Sequence, residues 1–448
     1  MLKELLLPEI TQLLESKDWS TLKEGISSWP AAEIVDLLEE LNDKEKVLLY
    51  RVLNRDVAAD VFAEMDIYQR EYLLEVLTDK ETKILLADLS PDDRTSVLEE
   101  MPAKATKYLL NMLNAEDLKE ASWLLGYPTD SCGRLMTPDF VELKESYNVK
   151  EAISHIRKYG KASETIYRVY VVNKNGNFVD DILLRDLILS EEDKPISELM
   201  DYNYISVSAF DDQEVAVRYM EKYDMFALPV LDSNGILLGI VTIDDVLEVS
   251  EEEATEDIQK LAAVNPVEQP YITASLWKLI VKRFPWLLAL VLVNFLTASA
   301  IDNYKEVTLA LVSLASFIPL LLGTAGNSGT QTSTLIIRSL AIGEVRTKDW
   351  LRVLLKEIII GSVLGLIFAI ITYLHGLYQG EDVMDLAIIV SLTMVVLILW
   401  ANIIGSLLPM IIAKLKFDPA VISSPLIATL IDVTGIMIYY NIAIWVIL

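Results

Sequence analysis

The last apolar stretch of this 448-residue chain, Pro419 to Leu448, holds a single charge, Asp432. Thirteen uncharged residues precede it in that stretch and 16 follow it. In a bilayer-crossing segment the carboxylate would therefore lie near the midplane. A charged carboxylate there costs about 2.5–3.5 kcal/mol even on lenient insertion scales. No Lys or Arg falls within any of the chain's five long uncharged stretches to offset it. Protonation, a polar cavity or a cation remain, and a cation pathway best uses the neighbouring residues. Ser424, the carbonyl of Ala428 and Asp432 recur at four-residue intervals, which is one face of a helix. One carboxylate supplies half the charge of a divalent cation, whereas two chains meeting at a two-fold axis would supply both halves. Mg²⁺ takes octahedral oxygen ligands and gives up its water reluctantly. Few charges and several hydroxyls or carbonyls suit a hydrated Mg²⁺.

A second constellation runs from Pro319 to Gln331 and includes Gly326-Asn327-Ser328-Gly329. Small residues let helix backbones approach closely, and Gly and Pro are tolerated at membrane depth where a cavity or a neighbouring helix satisfies the backbone. Packing explains the glycines. It explains Asn327 and Gln331 less well, so Asn327 joins Ser424, Ala428 and Asp432 as a candidate pore-lining residue.

These residues need membrane helices to position them. A bilayer crossing takes about 20 apolar residues. Five stretches qualify: Phe284 to Ile301, Val307 to Ile337, Ile358 to Gln379, Leu386 to Ala413, and Pro419 to Leu448. Lys278, Lys282, Arg283, Arg338, Arg346, Lys348, Arg352, Lys356, Lys414 and Lys416 fall in alternate connections, against Lys305 in the others. Positive residues stay inside, so the N-terminus is expected in the cytosol and the C-terminus outside. Asp432 is the single acid within these stretches, which favours a passive pathway over a transporter exchanging the cation for Na⁺ or H⁺.

The net charge of −28 is divided unevenly: residues 1–270 carry −29 and residues 271–448 carry +1. An acidic soluble module is thus joined to a membrane module. Its charge excludes nucleic acid, whose phosphates need Lys and Arg. Two histidines and one cysteine, Cys132, argue against a transition-metal enzyme and against an internal disulfide. The opening MLKELLLPEITQLLE has an apolar run too short for a signal peptide.

Residues 1 to about 127 read as short amphipathic helices, several opening on cap-like signals such as Ser90-Pro91-Asp92-Asp93 and Asn114-Ala115-Glu116-Asp117. From Cys132 the chain repeats itself. GRLMTPDFVELKESYNVKEAISHIRKY returns 64 residues on, and YVVNKNGNFVDDILLRDLI returns 59 residues on. Each copy reads strand, helix, strand, Asn-Gly turn, strand, helix. This resembles a tandem pair of CBS domains, which often bind adenosine nucleotides. A Ser/Thr-x-x-Asp motif at the end of the last strand grips the ribose in such pairs. The second copy has Thr242-Ile243-Asp244-Asp245 and the first has Leu183-Leu184-Arg185-Asp186, without the hydroxyl. Arg185, Asp186, Thr242 and Asp244 are the candidate nucleotide contacts, with ATP as the possible cofactor. A long acidic helix, Val246 to Val264, then leads through Asn265-Pro266 and Gln269-Pro270 towards the membrane.

Taken together the motifs resemble the MgtE family of bacterial Mg²⁺ channels and transporters over essentially the whole chain. The marks are P-x6-G-N-x-G-x-Q in the second stretch, D-P-A-x4-P-x2-A-T-x2-D-x2-G in the fifth, and EATEDI in the linking helix. The resemblance implies a homodimer in the lipid bilayer with its ion path on the dimer axis and Asp432 as the pore carboxylate. It also implies a plug role for the linking helix, and closure by Mg²⁺ bound between acidic cytosolic surfaces. The matching metal positions are Asp92 or Asp93, Asp212, Glu214, Asp224, Asp245 and Glu248, then Glu253, Glu256 and Asp257 on the plug, and Asp418 at the cytosolic mouth. Ser424 departs from the family's pattern, standing at a position that the resemblance associates with Asn. The expected architecture is a helical superhelix (1–130), α/β CBS domains (131–196 and 197–248), a plug helix (249–270) and five membrane helices (271–448).

Overall fold

The computed structural model describes residues 2–267, 271–272, 274–305, 313–377 and 383–447. The chain divides into two compact units, Met1–Glu251 and Glu252–Leu448.

The first unit opens with helices α1 (Leu2–Ser16) to α10 (Ala115–Leu124), and no strand interrupts them among the described residues. Their starts follow the sequence signals. The Asn42 side chain accepts from the Glu45 amide and Glu45 returns the bond to the Asn42 N–H, a reciprocal cap repeated by Thr78 and Glu81. Ser90 caps α8 (Pro91–Glu100) and Asn114 caps α10, as their sequences indicate. The apolar faces of these helices, among them Ile34, Leu37, Phe62, Leu86 and Leu98, share one continuous core.

The repeat becomes two three-stranded sheets with a common topology. Strands β1 (Glu142–Lys144), β2 (Arg168–Val172) and β3 (Phe178–Leu183) form one; β4 (Val207–Ser208), β5 (Ala227–Leu231) and β6 (Leu237–Thr242) form the other. In each sheet the first pair is parallel and the second antiparallel. The offsets read in the sequence recur in the registers. Arg168 pairs with Leu183 as Ala227 does with Thr242, and Leu143 pairs with Val171 as Val207 does with Val230. Both sheets carry a bulge at the matching place, Val171/Val172 and Val230/Leu231. The Asn-Gly turns place Gly176 and Gly235 at φ +81° and +79°, a conformation cheap only for glycine. After the short helix α11 (Cys132–Leu135), helices α12 (Val149–Tyr159) and α13 (Leu184–Leu189) accompany the first sheet, and α14 (Gln213–Tyr223) the second. Helix α15 (Ile243–Leu261) follows β6 directly and carries the chain out of this unit.

The second unit is helical. Beyond the end of α15 it contains α16 (Leu276–Asn303), α17 (Ser313–Ala341), α18 (Trp350–Gly376), α19 (Val383–Lys414) and α20 (Ser424–Ile447). Four of these regions are long and apolar enough to cross a membrane: Leu276–Asn303, Thr347–His375, Met384–Lys414 and Ser424–Ile447. Helix α17 has the length, at 29 residues, but its polar run from Gly326 to Ser333 lowers its apolar character. The start of the expected second crossing, 307–312, lies outside the described residues. Glycines let α17, α18 and α19 pack almost backbone to backbone. A Cβ on Gly405 would stand 2.5 Å from the Gly329 carbonyl, and one on Gly365 would stand 3.0 Å from the Val395 Cα. Leu314, Phe317, Leu321, Ile389, Leu397, Ile427, Ile431 and Tyr439 fill the core between α17, α19 and α20.

The third membrane helix reaches beyond the expected crossing. The sequence reading begins it at Ile358, after the last charges. The structure starts α18 eight residues earlier, at Trp350, so Glu357 lies inside the helix whose apolar part can cross a membrane. The uncharged stretch from Ile358 still holds no acid, and Glu357 stands one residue before it. The missed signal is side-chain direction: Glu357 follows Lys356 in sequence, yet its side chain turns into the helix bundle and is 8% exposed.

Candidate ion pathway and acidic control sites

Helix α20 has two faces. Ile427, Ile431, Ile436, Tyr439 and Ala443 are buried in the bundle, while Ser424, Ala428 and Asp432 form a half-buried line. The four-residue spacing thus places all three on one face, as expected. Asp432 makes no hydrogen bond or ion pair among the described residues. Its neighbour on the bundle side is α17. A Cβ on Gly326 would stand 3.6 Å from that of Ala428, and the Thr330 hydroxyl donates to the Ser424 carbonyl at 3.4 Å. Helix α17 turns Gly323, Asn327 and Gln331 outward, all exposed, while Leu321, Ala325, Gly329 and Thr332 point inward. A polar stripe on the outside of an otherwise apolar bundle does not suit hydrocarbon. Together with the Asp432 line it makes a seam of carbonyl, hydroxyl, amide and carboxylate oxygen that fits a hydrated cation.

At the foot of α20, Asp418 caps the turn Pro419–Val421 by accepting the Ala420 N–H at 2.8 Å. It also accepts a hydrogen bond from Lys260 Nζ, again at 2.8 Å. The same ammonium pairs with Glu256, one turn earlier on α15. Burial works against the Lys260 charge, but these two carboxylates outweigh it and hold the ammonium above its usual range. Asp257 is raised, chiefly by burial and next by the Asp418 charge. The end of α15 is fastened further. Gln259 exchanges hydrogen bonds with the Val267 backbone, and Trp286 of α16 donates to Asn265 Oδ1 at 2.9 Å. Glu256, Asp257 and Asp418 therefore assemble at one place, with a lysine already between two of them. Glu253 sits one turn before Asp257 on the same helix, half-buried.

In the first unit the predicted acids separate into two kinds. Asp93 is occupied by capping, since Ser90 Oγ donates to its Oδ2 at 2.7 Å. Asp92 is buried, and its Oδ1 has no hydrogen-bond partner. Burial, with the Asp93 and Glu164 charges behind it, pushes the Asp92 carboxyl up to about 7. Asp245 on α15 is also raised, first by burial and then by the charge of Asp92. Two carboxylates from α8 and α15 thus face each other across the junction of the helical and CBS segments. The unpartnered Asp92 oxygen beside a second, repelling carboxylate suits a bound divalent cation. Among the described residues no three His, Cys, Asp or Glu side chains converge on one point, so any ion here would keep much of its water. The others have local roles. Asp212 caps α14 by accepting the Glu214 N–H at 2.9 Å, and Asp224 ends that helix in the left-handed conformation. Asp212, Glu214, Asp224 and Glu248 are all exposed.

Sequence reasoning passed over a cleft of about 490 Å³ beside this pair, lined by Asp60, Asp88, Asp93, Asp117, Glu120, Asp139 and Glu164 together with Arg94. Arg94 is buried and pairs with Glu120 at 2.6 Å. Nothing in linear spacing joins these acids, because they arrive from six separate segments.

The candidate nucleotide residues are divided. Arg185 lines an open groove of about 690 Å³ with Ile166, Tyr167, Leu184, Ile188 and Leu189. Thr242 instead donates its hydroxyl to Asp245 at 2.8 Å. Asp244 is exposed, and Asp186 is contacted by Arg185 at 3.4 Å.

A helical membrane unit with an oxygen-lined seam, joined in one chain to a CBS pair, defines a membrane transport protein rather than an enzyme. Comparison with known proteins agrees. The family model described as a divalent cation transporter, MgtE, matches residues 318–442; the MgtE intracellular N domain matches 29–130, and CBS domains match 132–192 and 196–252. A magnesium transporter MgtE from Thermus thermophilus is 40% identical over 324 residues, 72% of each chain. One from Enterococcus faecalis is 38% identical over 73% of this chain and 72% of its own. The crystal structure of the cytosolic domain of the Mg²⁺ channel MgtE in complex with ATP matches with a TM-score of 0.53 and 30% identity, covering 55% of this chain and all of that one. The chain belongs to the MgtE family of magnesium transporters.

Proposed function

We propose that two copies of the chain form a Mg²⁺ pathway across the cytoplasmic membrane, shut by Mg²⁺ on its own cytosolic acids. The observation that carries this reading is Asp432, half-buried and unpaired beside Ser424 and Ala428, next to the outward polar stripe of α17. A two-fold axis along that seam brings two Asp432 carboxylates and two Asn327 amides around one hydrated ion. The linking helix acts as the plug, and residues 249–270 join a cytosolic part (helical domain 1–130, CBS domains 131–196 and 197–248) to five membrane helices in 271–448. Lys260 supports the plug assignment, because it ties α15 to Asp418 at the foot of the pore helix. Asp92 and Asp245 are the best placed of the cytosolic acids to hold a regulatory ion. ATP at the CBS pair is supported by the relative crystallised with it and by Arg185 in its groove. Purified protein in liposomes is expected to take up Mg²⁺ down its gradient, and millimolar Mg²⁺ on the cytosolic face should suppress that uptake. Uptake that needs an opposing Na⁺ or H⁺ gradient would favour an exchanger instead, a reading that the second acid, Glu357, brings back.

Five crossings put the C-terminus outside. A cysteine placed at Leu448 should react with an impermeant thiol reagent in intact cells, while buried Cys132 should not. Protection of the C-terminal cysteine would require an even number of crossings.

A further inference from the structure

Glu357 belongs to neither the seam nor the cytosolic clusters, yet it anchors a polar chain through three membrane helices. The Thr332 hydroxyl of α17 donates to its Oε2 at 3.3 Å, and Asn402 Nδ2 of α19 donates to the same oxygen at 3.1 Å. The amide oxygen of Asn402 in turn accepts from Ser328 Oγ at 2.6 Å. Ser328 lies in the Gly326–Gly329 segment that packs on the pore helix α20. Glu357, Thr332 and Asn402 are all more than nine-tenths buried.

We infer that Glu357 is a proton-binding site within the membrane unit, coupled through Asn402 to the α17 segment beside the pore. A lone buried carboxylate is costly when ionised, and no ion pair offsets it among the described residues. The charged or titratable side chains of the packed helices are Arg338 on α17, Arg352, Lys356, Tyr373 and His375 on α18, and Asp385 and Lys414 on α19. Of these, Lys356 is its chain neighbour.

A metal ion is the weaker fit. The group facing the carboxylate from α19 is an N–H, and the Asn402 oxygen that would ligate a cation is taken by Ser328. A proton fits both states of the chain. The ionised carboxylate accepts from Asn402, as seen. The carboxylic acid, formed by adding one proton from cytosolic water, donates to the Asn402 oxygen after a half-turn of the amide. The amide N–H then donates to Ser328, so the change at Glu357 arrives at the pore-side helix. Neutralising the carboxylate also removes a negative charge from the cation's surroundings, so acid should slow uptake.

Glu357→Gln mimics the protonated form in shape and polarity. In reconstituted wild type, infrared difference spectra between acid and alkaline buffer should contain a protonated-carboxyl stretch that Glu357→Gln lacks. Mg²⁺ uptake by the wild type should fall on acidification through one one-proton step. The Gln variant should lose that step and remain at the acid-limb rate. Thr332→Val removes a hydrogen bond to the ionised form, so its midpoint should move up by about one pH unit, a shift that a purely structural role would not produce. The band and the pH step surviving in Glu357→Gln, or a midpoint unmoved in Thr332→Val, overturns the assignment. The infrared arm reads proton binding whether or not Mg²⁺ is the ion carried, so its failure is distinct from failure of the transport reading.

Discussion

Replacing Asp432 by Asn is expected to reduce Mg²⁺ uptake by at least about tenfold. The substitution keeps size and polarity and removes one negative charge per chain, hence both charges facing the ion in a two-fold assembly. A tenfold loss corresponds to about 1.4 kcal/mol, which is modest beside the attraction of two carboxylates for a divalent cation away from bulk water. Packing should change little, since Asp432 is half-buried and no described side chain bonds it. Ser424→Ala removes one hydroxyl from the same face and should cost less, because the Ala428 carbonyl and the ion's own water remain. Uptake into liposomes or cells, normalised to protein in the membrane, measures both. Near wild-type uptake by Asp432→Asn would remove it from the ion path.

The fold was legible wherever a local rule acts alone. Ser90 and Asn114 cap the helices they precede, because a cap is decided within four residues. The CBS repeat was legible down to register, since the offsets of 64 and 59 residues carry the pairing of β1 with β2 and of β2 with β3. The face of α20 that carries Ser424, Ala428 and Asp432 followed from helical spacing around one acid. What sequence could not give is the meeting of groups far apart in the chain. Lys260 and Asp418 are 158 positions apart, and the acids around the cleft at Asp93 come from six segments. Glu357 was passed over for a different reason. A charge next to Lys356 reads as part of a solvated loop, and only the direction of its side chain puts it in the bundle. Asp92 and Asp93 were indistinguishable as a pair; the Ser90 bond to Asp93 separates them.

In the absence of divalent ions, α15 and the segment after it, from Glu251 to Gln269, should be open to protease, and millimolar Mg²⁺ should protect them. Residues 1–270 carry −29, and within the first unit the Asp92 and Asp245 carboxylates repel each other. One ion shared by two carboxylates offsets their repulsion directly, whereas Na⁺ at equal ionic strength only screens it. Mg²⁺ shifts the equilibrium because it binds the assembled state better than the separated one. The same pair gives the response a pH dependence of definite sign. Asp92 titrates at about 7 when buried beside Asp93 and Glu164, and near 3.9 when free. The assembled state therefore holds an extra proton between those values. Its stability is full below about pH 4 and declines by up to about 1.4 kcal/mol per unit as pH rises towards 7, then levels off. Protection without Mg²⁺ should thus be appreciable at pH 6 and nearly absent at pH 8. Mg²⁺ should add most at pH 8, where both carboxylates are free to bind it. Asp92→Asn should flatten the pH dependence, because the variant resembles the protonated acid at every pH. Neutralising Asp245, Glu248 and Glu256 together should remove the Mg²⁺ increment and leave a pathway that high Mg²⁺ no longer closes. Equal protection by Na⁺, or a protection profile in Asp92→Asn that still falls between pH 6 and 8, would mean that these acids act as a diffuse charge and that gating lies elsewhere.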